Sequence, residues 1–162
     1  LRGSTGMKRQ VFFCALNGFD THSSQSWAHW DLLTNLAEAM AAFYTATAEM
    51  GVADKVTTFT ASEFGRSLQP SGSGTDHGWG GHHMVMGGSV IGQKIYGSMP
   101  DPDITVSGNP NDTGRGRWLP SISVDQYAAT MAKWFGLSDS QIRDVFPSII
   151  NFDPNLGFMQ AA

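Results

Sequence analysis

Two polar stretches hold most of the side chains able to do chemistry. The first, NGFDTHSSQ over residues 17–25, sets Asp20 and His22 two positions apart, just after the apolar run VFFCAL. The second runs from Ser62 to His83 and carries Glu63, Arg66, Asp76-His77 and His82-His83. Four of the five histidines lie in these stretches, and the fifth, His29, stands at a helix entrance. Carboxylate oxygen with imidazole nitrogen is the ligand set of zinc, manganese and iron sites. One or two such ions would acidify a water and neutralise an anionic substrate oxygen. Arg66 is suited to clamp a phosphate or sulfate bidentately. Glycines between 72 and 81 let the backbone bring these groups close.

Each group also has a simpler reading. Asp20-Thr21-His22 can be an Asx-turn beside a solvated histidine. Glu63 and Arg66 can form an ion pair at a loop base, and Asp76-His77 can cap a turn. His82 and His83 can lie on a strand facing opposite sides, so that only one points into a site. What favours a shared metal site is the confinement of the histidines to two stretches.

The elements expected to position these groups begin with RQVFFCAL, residues 9–16, which reads as a buried strand ended by Asn17-Gly18. Cys14 within it reads as a core thiol. Leu32, Leu33, Leu36, Met40 and Phe43 recur at helical spacing between Trp30 and Met50, and Gly51 supplies a stop. VTTFTA, residues 56–61, reads as a second buried strand. Strand, helix and strand make a βαβ unit with parallel strands. In open sheets of that kind ligands gather beyond the carboxyl ends of the strands, where both polar stretches fall. The expected fold is therefore α/β: a mainly parallel sheet flanked by helices, in one domain over residues 1–162.

Met84 and Met86 alternate as core residues would, in a segment expected to hold one or two short strands. Residues 100–118, rich in Pro, Gly and Asn, read as a surface loop. Ser123 with Gln126 and Ser138 with Gln141 are capping boxes that open two closing helices, stopped by Gly136 and Pro147.

The bulk composition narrows the function classes. The 162 residues are 41% hydrophobic and only 15% charged, with a net charge of −4. Nucleic acid and anionic membrane surfaces are not expected partners, because Lys8-Arg9 and Arg115/Arg117 are too sparse for a basic groove. No apolar run reaches membrane-spanning length. The opening LRGSTGMKRQ lacks an initiating methionine and reads as the interior of a longer protein.

GFDTH, TFTASEFGRS, GTDHGWGGHHMVMGG, KIYG, SVDQYAATMAKWFGL and NFDPNLGF closely resemble the DUF1501 family over nearly the whole chain. That family belongs to the alkaline phosphatase and sulfatase superfamily of metal-dependent hydrolases. The resemblance implies a partial alkaline phosphatase-like fold, the C-terminal portion of a longer protein, with ligands after the strands of a parallel sheet. It implies Asp20 and His22 as ligands of one metal, and Glu63 as the acidic ligand ending a strand. Asp76-His77 would supply a further ligand; a second alignment leaves His82 or His83 as the late histidine.

The implied cofactor is one or two divalent ions (zinc, manganese or calcium), and the implied substrate a small anionic phosphate or sulfate ester. A periplasmic or secreted location goes with it. The superfamily keeps its nucleophile in an N-terminal half that this sequence does not contain. The alternative is thus a non-catalytic module that binds metal, a glycan or a protein. A partial sheet is also expected to expose an edge through which copies associate.

Overall fold

Helix α1, Gln25–Glu49, enters without a side-chain cap, because Ser24 lies in the left-handed region at φ 52°. Its orphan amides turn to a distant hairpin instead. Ser24 N–H donates to Ser73 Oγ at 2.9 Å and Gln25 N–H to Ser73 O at 3.0 Å. Met50 and left-handed Gly51 close the helix, as its sequence predicts. These elements come from a computed structural model that describes residue 6 and residues 8–160. Of the opening LRGSTGMKRQ, read above as the interior of a longer protein, residues 1–5 and 7 lie outside the described residues.

Among the described residues the strands are β1 (Thr57–Phe59), β2 (Gly65–Ser71), β3 (Gly74–Gly78) and β4 (Val85–Gly87). They form two separate antiparallel pairs, β1 with β4 and β2 with β3. The expected parallel sheet flanked by helices is therefore not the fold. The cause lies in residues 9–16, which enter no strand or bridge. Val11, Phe12 and Phe13 are 79, 68 and 92% exposed. Without that strand β1 has no parallel neighbour, and β4 takes its edge in the antiparallel sense. Cys14, expected in the core, is exposed for the same reason.

The second polar stretch, expected to be all loop, contains the β2–β3 hairpin. Its turn is built on Gly72 at φ 64°, a conformation glycine adopts without steric cost. Met84, expected in the core, is 44% exposed just before β4.

Both capping boxes form. Ser123 Oγ accepts from Gln126 N–H and opens α2, Val124–Phe135, while Ser138 Oγ accepts from Gln141 N–H and opens α3, Asp139–Val145. Left-handed Gly136 ends α2, and Pro147 starts a 3-10 turn over Pro147–Asn151. Ala129, Ile142 and Ile149 are the buried heart of this end, backed by Ala132, Leu137 and Phe146. Burying one such isoleucine side chain contributes about 1.5–3 kcal/mol.

Tyr127 ties this helical core to the β1–β4 pair. Its hydroxyl lies 3.1 Å from Thr60 O and 3.3 Å from Met84 O, and its ring meets Phe59 edge-on. Residues 100–118 are turns, as expected, although Gly116 and Trp118 are buried. Among the described residues no helix is long and apolar enough to cross a membrane.

Candidate metal centre

The β2–β3 register sets Arg66 opposite His77. Directly opposed residues of an antiparallel pair share a face, so both side chains leave the hairpin on the same side. The loop after the apolar run then docks across it, with Thr75 N–H donating to Thr21 O at 3.2 Å. Gly74 permits that approach. A β-carbon there would run into the backbone of Thr21 and His22.

This docking brings three donor atoms together. Asp20 Oδ1 lies 3.0 Å from His22 Nε2 and 3.0 Å from His77 Nε2, and the two nitrogens are 3.3 Å apart. Ligands 2.0–2.1 Å from a tetrahedral ion stand roughly 3.3 Å from one another. The triangle therefore matches one face of such a site to within a few tenths of an ångström. Asp20, His22 and His77 form a group able to hold a metal, and each is about half exposed, so further coordination positions face solvent.

The surroundings fix these groups. Phe64 stacks on the His77 ring at 3.8 Å and 9°, with the Arg66 guanidinium 5.9 Å from the Phe64 ring centroid. Arg66, only 13% exposed, donates to Asp20 Oδ1 at 2.6 Å. It also donates to Thr21 O at 2.9 Å, to Thr75 Oγ1 at 3.0 Å and to Thr75 O. Four of its five N–H groups are thereby used, which leaves no paired edge for a substrate anion. The Arg66 hydrogen bond is the chief cause holding the Asp20 carboxyl below the usual carboxylate range. Desolvation opposes it, and the His77 hydrogen bond and the His22 and His77 charges assist. Asp20 is thus a carboxylate at neutral pH, the form that ligates metal.

The other residues singled out from sequence lie elsewhere. Asp76 stands behind His22, its Oδ1 3.7 Å from Nδ1 and its Oδ2 2.7 Å from Arg115 Nη1. Glu63 is exposed ahead of β2 and outside the triangle; Arg66 pairs with Asp20 instead. His82 is exposed before β4, and His83 stacks on Tyr127 at 5.4 Å. Desolvation, then the His82 charge, lowers the His83 pKa. His29 Nε2 lies 3.4 Å from Phe19 O, at the base of the first loop.

Three contributors escaped the sequence reading: Phe64, Thr75 and Arg115. SGSG between LQP and TDHG was the one usable signal, since a hairpin turn there places Arg66 near His77. Arg115 carries no such signal, being 39 residues from Asp76.

No curated protein and no solved structure matches this chain. The model of the family described as "Protein of unknown function (DUF1501)" matches residues 2–143. With more than half of its length so matched, the chain belongs to the DUF1501 family.

Proposed function

We propose that Asp20, His22 and His77 hold one divalent metal ion and that the centre serves hydrolysis of a phosphate or sulfate ester. The observation that carries this is the donor triangle, whose edges suit a tetrahedral ion. Two nitrogens and one carboxylate oxygen favour zinc or manganese over calcium, which takes six to eight oxygens. The chemistry a bound ion supplies in such a setting is acidification of water and neutralisation of an anionic oxygen.

The chain's own residues do the rest. Asp20, kept ionised by Arg66, offers negative charge to the cation, while Phe64 holds the His77 ring face-on. Arg66 serves as a brace for Asp20 and the 19–22 loop. The support for an ester substrate is the alkaline phosphatase and sulfatase superfamily that the resemblance to the DUF1501 family implies.

A second reading is favoured by the commitment of Arg66: with no guanidinium edge free, the centre suits a non-catalytic metal-, glycan- or protein-binding module. Steady-state assays with aryl phosphate and aryl sulfate, with zinc or manganese added, separate the two. Hydrolysis that vanishes in Asp20→Ala supports the enzyme. Metal binding without turnover of either ester supports the module.

A further inference from the structure

Helix α1 has three faces, and one of them is apolar yet open to solvent. At about 100° per residue, Ala28, Leu32, Leu36, Met40 and Thr47 share a face that is buried or half-buried. Leu32 on that face packs against Gly18. The helix's only charged residues, Asp31, Glu38 and Glu49, mark a second face. Between the two run Trp30, Leu33, Ala37, Ala41, Tyr44 and Ala48, all exposed and within about 80° of the circumference. Trp30 is 71%, Leu33 49% and Tyr44 40% exposed, and Trp27 at the edge of the stripe is 79% exposed. A contiguous apolar surface of this kind, free of charge, marks a site of association.

We propose that this stripe joins two copies of the chain, their α1 helices antiparallel about a two-fold axis near Ala39. The bulk along the stripe is complementary to itself in that arrangement. Trp30 of one copy falls on Ala48 of the other, Leu33 lies beside Tyr44, and Ala37 meets Ala41. A parallel pair would set Trp30 on Trp30 and Tyr44 on Tyr44, holding the alanines apart. Asp31, Glu38 and Glu49 lie about 110° round from the stripe, so the acidic faces of both copies stay in water. At their exposures, the two tryptophans, Tyr44 and Leu33 offer roughly 600 Å² per copy. That is the lower edge of specific interfaces, so a reversible dimer fits the area. The contact is independent of the metal-centre reading and distinct from the sheet edge expected from sequence.

Sedimentation velocity of the full chain over a concentration series, in reducing buffer, is the test. We expect a monomer–dimer equilibrium. Trp30→Glu and Ala37→Glu should each weaken it by about tenfold or more, with the helical circular dichroism unchanged. Glu38→Ala on the acidic face and Phe13→Ser in the exposed run before α1 should leave it as in the parent. In a Cys14→Ser background, oxidising a mixture of Ala37→Cys and Ala41→Cys chains should give mainly mixed disulfide dimers, because antiparallel helices bring those two positions together. A chain that stays monomeric across the series overturns the proposal and assigns the stripe to a different partner. Dimerisation unaffected by Trp30→Glu also overturns it, since the contact would then lie elsewhere. Ala37→Cys chains that couple to themselves in preference to Ala41→Cys would refute the antiparallel arrangement.

Discussion

The Nε2 atoms of His22 and His77 stand 3.3 Å apart although 55 residues separate them in the chain. Two neutral imidazoles gain little from such a meeting in water; around a common cation it is the ordinary ligand spacing. The contact exists because a loop and a hairpin dock through Gly74 and the Thr21–Thr75 backbone bond, and Asp20 completes the set.

Removing a member of the triangle should therefore cost metal affinity. Asp20→Ala and His77→Ala are each expected to weaken zinc binding by more than about 100-fold, beyond the usual effect of an outer partner. His29→Ala, whose ring contacts Phe19 and not the triangle, should bind zinc like the parent. Calorimetric titration decides it, and equal affinity in all three variants would refute the ligand assignment.

Gly74→Ala places a methyl group against the Thr21 and His22 backbone. Overpacking of this kind costs about 1–3 kcal/mol. Urea denaturation should show that loss, and zinc affinity should fall with it. A variant as stable as the parent would mean that the loop does not rest on β3.

Arg66 keeps the Asp20 carboxyl ionised, so the Asp20–Arg66 pairing contributes above the ordinary carboxylate pKa and is lost as pH falls through the lowered folded value. Arg66→Leu should move the Asp20 midpoint upward in a carbon-13 carboxyl titration. An unmoved midpoint would assign the lowering to the histidines instead.

Burial pushes the Tyr127 phenol from 10 to about 12. A raised folded pKa gives stability that is complete below the unfolded value and lost as pH rises through the folded one. The ring is partly exposed, so solvent screening reduces the full linkage to about 1–2 kcal/mol between pH 10 and 12. Tyr127→Phe should remove that alkaline loss while lowering stability at neutral pH by about 1 kcal/mol for the hydroxyl bond. Identical alkaline limbs in parent and variant would place the loss elsewhere.

What could be read from sequence was local. Ser123 with Gln126 and Ser138 with Gln141 close their bonds within one helical turn, so the signature contains the whole structure. VFFCAL has strand chemistry, but a strand also needs an edge to pair with, and hydrophobic pattern does not encode the partner. The parallel sheet failed at that step, and with it the buried place of Cys14. Asp20, His22 and His77 were legible as residue types, whereas their convergence depends on a hairpin register and on Gly74. Glu63, His82 and His83 had the right chemistry without the docking that brings ligands together. Asp76 reached the centre from behind, through an arginine that no local pattern linked to it.

Metal content of the purified chain by elemental mass spectrometry, before and after chelation and re-addition of zinc or manganese, tests the centre most directly. One ion per chain, lost in Asp20→Ala, is the result we predict. No stoichiometric metal after re-addition would contradict it and leave Asp20, His22 and His77 as a polar cluster braced by Arg66.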